Sequence, residues 1–285
     1  MIENTSTNAG TVTLGDMTVN RLGFGAMRIT GEGVWGPPGD PEVCKRVLRR
    51  AIELGVNFID TADSYGPEVS EMLIAEALHP YPFDLVIATK AGLTRSGPGK
   101  WDRDGRPEHI RDAVDGSLRR LRVERIDLYQ SHAHDPKVPY EETIGAFKEL
   151  QAQGKVRHVG VSNVGLDELA TARGLVEVVS VQNRYNLGDR ASEAVLDACD
   201  STGTAFIPWF PLATGQLAGS ALQRIAKRRE VSPMQVGLAW LLHRSPVMLP
   251  IPGTASVAHL EENVDAARIE LSGDEMEELG SDRDG

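Results

Sequence analysis

Apolar residues along the chain gather into short runs: RLGFGAM, VNFID, DLVIATK, IDLYQSH, VRHVGVSN, VEVVSVQN, TAFIPWF and VMLPIPG. None alternates strictly between apolar and polar positions. Each therefore reads as a strand buried on both faces, in a parallel sheet covered by helices. Helical spacing separates the runs. Pro41–Leu54 presents Val43, Val47, Leu48, Ala51 and Leu54 on one face, and Pro107–Arg122 presents Ile110, Ala113, Val114, Leu118 and Leu121. Pro41 and Pro107 suit the first helical turn, where a missing N–H costs nothing. Gly55, Gly154 and Gly203 each stand between a helical stretch and the next run, the place of a left-handed C-cap. Eight strand–helix units predict a single α/β domain, a closed (β/α)8 TIM barrel, with an open doubly wound sheet as the alternative.

A short β-hairpin, TVTLG-DM-TVN, is expected ahead of the first run. The polar residues 1–10 read as disordered, 11–280 as the barrel, and the acidic 281–285 as a flexible end. The longer connections, Arg28–Asp40, Ala91–Arg106 and Pro211–Ser220, all follow strand ends, on the face where barrel sites lie.

Charge narrows the partners. The 285 residues carry 30 Lys and Arg against 41 Asp and Glu, a formal net charge of −11. That disfavours nucleic acid and anionic membranes and leaves room for a local basic pocket. Cys44 and Cys199 are the only cysteines, so no disulfide framework is expected and a reducing cytoplasm fits. No apolar run approaches the ~20 residues of a membrane span, and the start carries no signal-peptide pattern.

Three consecutive runs end on groups that hold a charge or a proton: VNFID on Asp60, DLVIATK on Lys90 and IDLYQSH on His132. Tyr65 follows Asp60 in the loop DTADSYG. In a barrel these strand ends converge on one mouth. A free phenol, with a pKa of about 10, is a weak acid at neutral pH. A neighbouring ammonium stabilises the phenolate, a carboxylate holds the ammonium, and an imidazole orients a substrate oxygen. Together they make a general acid aimed at a carbonyl oxygen. Separately, Asp60 reads as a turn cap, Tyr65 as packing and His132 as a core histidine; Lys90 at a buried strand end is the hardest to explain structurally.

GEGVWG (Gly31–Gly36) matches G-x-G-x-x-G formally. A dinucleotide fingerprint needs its last Gly in the first turn of a helix. Pro37 and Pro38 follow at once and forbid that start. The stretch reads instead as a substrate loop with Trp35 as a pocket wall.

The chain resembles the aldo-keto reductase family over nearly its whole length. The resemblance rests on GVNFIDTADSYG (Gly55–Gly66), VIATKAG (Val86–Gly92), DLYQSHAHD (Asp127–Asp135), GKVRHVGVSN (Gly154–Asn163), VQNRYN (Val181–Asn186), WFPLATGQL (Trp209–Leu217) and IPGTASVAHLEEN (Ile251–Asn263). It implies a (β/α)8 barrel and hydride transfer from a nicotinamide cofactor, with Tyr65 as proton donor and Asp60, Lys90 and His132 as its partners. It also implies that Ser162, Asn163 and Gln182 bind the carboxamide and Trp209 stacks on the nicotinamide. Phe210, Pro211, Leu212, Gly215 and Leu217 then cover the pyrophosphate, and Gly253, Thr254, His259, Glu262 and Asn263 hold the adenosine end, with Met27 and Asp60 also at the cofactor. Gly253 and His259 stand where many members carry Lys and Arg. NADPH is the implied cofactor and NADH the alternative.

The substrate pocket is expected from Trp35, Arg28 and Trp101, with Arg28 and Arg95 able to tolerate an anionic substituent. GPPGDP and SPMQVGLAWLLHRSP add similarity to a bacterial branch that includes pyridoxal reductases, which makes pyridoxal or another aromatic aldehyde the first candidate. Three other functions remain open from the residues: a metal-dependent barrel hydrolase using His132 and His134 of HAHD, a Schiff-base lyase built on Lys90, and a non-catalytic cofactor-binding regulatory subunit. A small-molecule carbonyl is the expected partner, with oligomeric state unassigned.

Overall fold

The computed structural model describes residues 5–213 and 220–281. In chain order the strands and helices are β1 (Thr11–Leu14), β2 (Met17–Asn20), β3 (Phe24–Gly25), α1 (Pro41–Glu53), β4 (Phe58–Asp60), α2 (Val69–Leu78), β5 (Val86–Ala91), β6 (Leu93–Gly97), β7 (Lys100–Arg103), α3 (Pro107–Leu121), β8 (Ile126–Ser131), α4 (Tyr140–Ala152), β9 (Val156–Ser162), α5 (Leu166–Leu175), β10 (Val178–Arg184), α6 (Glu193–Asp200), β11 (Ala205–Trp209), α7 (Ser220–Arg229), α8 (Pro233–Arg244), α9 (Val257–Asp265) and α10 (Gly273–Ser281). Strands β3, β4, β5, β8, β9, β10 and β11 pair in parallel in that spatial order.

The eighth run, VMLPIPG, closes this curled sheet into a barrel without forming a regular strand. On one side Phe206 N–H donates to Val247 O and Leu249 N–H to Phe206 O; on the other Gly23 and Gly25 N–H donate to Pro250 O and Pro252 O. Both prolines lack the N–H that a ladder toward β3 would need, so hydrogen bonds there run one way only. Chain packing at this seam is tight. A Cβ on Gly25 would collide with Ile251 O, and one on Gly253 with Gly25 O. The barrel closes here because both residues are glycine.

Inside the barrel, Phe58, Val86, Ala88, Leu128, Val179, Ala205, Ile207, Leu249 and Ile251 form one apolar cluster with Val12, Leu14, Met17 and Val19 of the β1–β2 hairpin. The hairpin thus stops the end of the barrel opposite the mouth. Outside it, α1 buries Cys44, Val47, Leu48 and Ala51, so Cys44 takes the inward position expected of the half-buried Val43. Proline opens α1 and α3, and Gly55, Gly154 and Gly203 take positive φ, as the spacing predicts. Among the described residues no helix is long and apolar enough to cross a membrane.

One expectation needs correction. Thr5–Ala9 is not disordered: it forms a 3-10 turn in which buried Ser6 donates its N–H to Leu54 O. Backbone donors satisfied against α1's end outweigh the segment's polar composition. The Ala91–Arg106 connection carries the antiparallel β6–β7 hairpin. Residues 282–285 lie outside the described residues.

One buried ionic network holds the wall behind the mouth. Glu71 of α2, fully buried, accepts from Thr89 Oγ1 of β5 at 2.6 Å and from Arg120 Nε of α3 at 2.6 Å. Thr89 is the neighbour of Lys90, so the network fixes the strand that delivers the lysine. Removing Glu71 takes away the buried partner of Arg120 and leaves it only the exposed Glu68. Glu71→Ala is expected to lower stability by about 3 kcal/mol in urea unfolding.

Candidate active site

The pleat of β4, β5 and β8 sends Asp60, Lys90 and Gln130 toward the barrel axis at the mouth. Lys90 is fully buried. Its ammonium donates to Asp60 Oδ2 at 2.7 Å, to Thr61 O at 2.8 Å and to Tyr65 Oη at 3.4 Å. Asp60 Oδ1 accepts from Gln182 Nε2 at 2.8 Å and from Gln130 Nε2 at 3.1 Å. Every lysine proton and both carboxylate oxygens are thus used, which is what an ion pair in this interior requires. Gln130 was not singled out from sequence. Its signal was an amide inside the otherwise apolar run IDLYQSH.

Tyr65 reaches the mouth because the chain reverses just after it. Gly66 has φ +107°, and a Cβ there would collide with Val69. The phenol ring packs 5.9 Å from the His132 imidazole and 6.3 Å from the Trp101 indole, both edge to face. The sequence thus brings Asp60, Tyr65, Lys90 and His132 into one site.

The titration picture differs from the simple expectation. Burial pushes the Tyr65 phenol above its ordinary value; Lys90 pulls it down, but not enough to offset burial, and Asp60 adds to the rise. Burial alone would lower Lys90, but Asp60 and the phenol outweigh it and hold the ammonium above its usual range. Burial first, then Lys90, hold His132 well below the usual imidazole value, so the ring is neutral at pH 7. Its Nδ1 lies 3.5 Å from Ser64 Oγ. A fully buried Lys90 whose ammonium is engaged by Asp60, Thr61 O and Tyr65 is poorly placed to act as a Schiff-base nucleophile.

A cavity of about 840 Å³ opens over this cluster. Its wall includes Met27, Asp60, Ser162, Asn163, Gln182, Trp209, Phe210, Pro211, Leu212, Gly253, Thr254, His259, Glu262 and Asn263, which sequence had assigned to a cofactor. Gly215 and Leu217 lie outside the described residues. Asn163, at φ +57°, clamps the wall: its Oδ1 accepts from Trp209 Nε1 at 3.0 Å and its Nδ2 donates to His132 O at 2.9 Å. The Gln182 amide donates to Asp60, leaving Oε1 as an acceptor, and the Ser162 hydroxyl accepts from Asn163 Nδ2 and keeps its proton to donate. One acceptor beside one donor, next to an indole, matches a carboxamide on a flat ring. The donor set fits a nicotinamide.

The substrate assignments change more. Trp101 lines the cavity with Val34 and Leu93, but Trp35 does not; its backbone bridges to Gly66 and its ring lies 5.9 Å from the Arg95 guanidinium. The loop Glu32–Val34 turns through Gly33 at φ +66°, which aims Val34 rather than Trp35 inward. Arg28 lines the cavity against Gly253, its Cγ 3.5 Å from where a Cβ on that glycine would sit. It therefore lies beside the 253–263 segment. Arg95 is not free for an anion, because its N–H groups go to backbone carbonyls.

His134 does not join His132. Its ring packs 5.0 Å from Tyr140 and its Nδ1 lies 3.7 Å from Glu168, in a separate surface cavity. Among the described residues no three His, Cys, Asp or Glu side chains converge as a ligand set.

The sequence matches the Aldo/keto reductase family model over residues 21–281. It is 52% identical to an uncharacterized oxidoreductase of Schizosaccharomyces pombe, across 98% of this chain and 92% of that protein. It is 45% identical to pyridoxine 4-dehydrogenase of Escherichia coli, across 98% of each. Among solved structures it resembles an aldo/keto reductase from Klebsiella pneumoniae in complex with NADP and acetate, with a TM-score of 0.80 and 27% identity over 94% of this chain and 93% of that one. A barrel closed by a proline-rich eighth segment, the buried Lys90–Asp60 pair under Tyr65, and these matches agree: the chain belongs to the aldo/keto reductase family.

Proposed function

We propose that this protein reduces an aldehyde to an alcohol with NADPH, and that pyridoxal is the first substrate to test. The observation that carries the reading is the Tyr65 phenol held 3.4 Å from a buried, carboxylate-paired ammonium at the floor of a cavity built for a nicotinamide. When bound, the cofactor supplies the hydride. The chain supplies everything else. Tyr65 donates its proton to the carbonyl oxygen, and Lys90 stabilises the phenolate that remains. Asp60 keeps Lys90 charged and in place. Neutral His132 donates a hydrogen bond to the same oxygen and orients it. Ser162 and Gln182 fix the carboxamide, and Trp209 carries the ring. Pyridoxal is supported by the likeness to the Escherichia coli enzyme, whose name assigns it the corresponding alcohol. The aromatic surroundings of Tyr65 support a flat substrate.

NADPH rather than NADH is favoured by Arg28. Among the described residues lining the cavity it is the one Arg or Lys side chain, and it sits over Gly253, where a cationic side chain is missing. Free, buried Cys44 and Cys199 fit a reducing compartment, and we assign the protein to the cytoplasm.

Four measurements test this. Purified protein is expected to oxidise NADPH with pyridoxal; no consumption of NADPH or NADH with pyridoxal, other aromatic aldehydes, short aldehydes or ketones would turn the reading toward a regulatory cofactor-binding role. Tyr65→Phe is expected to keep NADPH affinity while kcat drops about a hundredfold or more. Arg28→Met is expected to weaken NADPH binding about tenfold in fluorescence titration, the loss of one charged hydrogen bond; an equal loss for NADH would move the guanidinium from the 2′-phosphate to the pyrophosphate. The pH profile follows from signs. The active form of Tyr65 is protonated and its pKa is raised, so kcat/KM for reduction should fall only on an alkaline limb above about 10. The His132 pKa is depressed, so no step is expected near 6.5.

A further inference from the structure

We propose that Arg95 is a positioning residue that sets substrate selectivity: it pins three mouth loops together and backs Trp101, making that indole a fixed wall for a flat aromatic carbonyl. The inference rests on the carbonyl-reductase reading and names the substrate class of that site.

A guanidinium has five N–H donors in one plane. Here Nε donates to Lys100 O at 2.8 Å, Nη1 to Val34 O at 2.7 Å and Ser64 O at 3.1 Å, and Nη2 to Gly33 O at 2.7 Å and Gly97 O at 3.4 Å. These carbonyls belong to three segments: the Gly31–Gly36 loop, the turn between Asp60 and Tyr65, and the β6–β7 hairpin. The same guanidinium lies 3.7 Å from the Trp101 ring centre, stacked on one face of the indole.

The hairpin needs this anchor. An isolated two-stranded hairpin is marginal in water. All four residues of β7 are exposed, and the register is irregular between Thr94 and Gly97. Trp101 is itself 37% exposed. Other ties exist: Gly99 N–H donates to Gly33 O, Ser96 Oγ to Asp102 and Arg103 to His134 O. None of these touches the indole or the Tyr65 turn. Arg95 does both, and it joins them: the carbonyl it holds at Ser64 is next to the acid, and the ring it backs stands 6.3 Å from Tyr65 and 6.4 Å from His132. A substrate ring whose carbonyl meets Tyr65 and His132 is thereby bounded by Trp101. An aromatic ring gains from that wall and a short chain does not.

The test compares wild type, Arg95→Met, Arg95→Lys, Trp101→Leu and the Arg95→Met/Trp101→Leu double variant with NADPH, using pyridoxal, benzaldehyde and propanal. The ratio of kcat/KM for aromatic aldehydes over propanal should fall about tenfold in Arg95→Met, chiefly through KM. Trp101→Leu should reproduce the loss, and the double variant should add little, because Arg95 acts through the indole. Arg95→Lys should not restore the ratio, since an ammonium cannot span five carbonyls. NADPH affinity should stay unchanged. Equal losses for aromatic and aliphatic aldehydes would reduce Arg95 to a stabilising role and overturn the proposal. If wild type reduces no aldehyde, the function falls separately, and trypsin decides the pin. Cleavage after Lys100 or Arg103 should be much faster in Arg95→Met; unchanged resistance would overturn it.

Discussion

The site depends on one buried ion pair. Lys90 and Asp60 lie inside the barrel mouth with almost no access to water. Two charges so placed cost free energy unless every lone pair and proton is used. Thr61 O, Tyr65, Gln130 and Gln182 supply those partners. Their demands organise the mouth: the DTADSYG turn must bring a carbonyl and a phenol to the ammonium, and β8 and β10 must each contribute an amide. The Tyr65 phenol is held at the mouth as one of those partners.

That requirement also explains the direction of the titration shifts. The surroundings that strengthen the Lys90–Asp60 contact also desolvate Tyr65 and His132. Burial raises the phenol and lowers the imidazole. Both stay in the neutral form across ordinary pH, which is the form in which each can donate a hydrogen to a carbonyl oxygen. Lys90 stands beside the phenol oxygen, a place from which its charge favours a phenolate over a bare anion in an apolar interior.

Around this rigid floor, the walls are built differently. One wall comes from strand ends and the 253–263 segment, and there Asn163 ties Trp209 to the His132 backbone. The opposite wall is a short hairpin and two loops that Arg95 joins through their carbonyls. Strand ends and connecting loops thus share the mouth, a common use of this architecture.

Much was legible in the sequence by itself. Unalternating apolar runs between helical stretches meant a parallel sheet covered on both faces. Chargeable residues ending consecutive runs meant a shared mouth, and the motifs carried the family. These features are local or periodic, so they survive without coordinates. Tertiary structure alone decided the rest. The eighth segment closes the barrel through one-way hydrogen bonds because Pro250 and Pro252 have no N–H to give, and that depends on which neighbour each faces. Arg28 lies against Gly253, where the missing side chain leaves room. Trp35 stays out of the cavity wall while Val34 enters it, and Arg95 spent its donors on carbonyls from three separate segments. His132 and His134 stand two positions apart in sequence and face different cavities. Each outcome depends on which groups distant in the chain compete for the same space or hydrogen bond, and no run of residues encodes that competition.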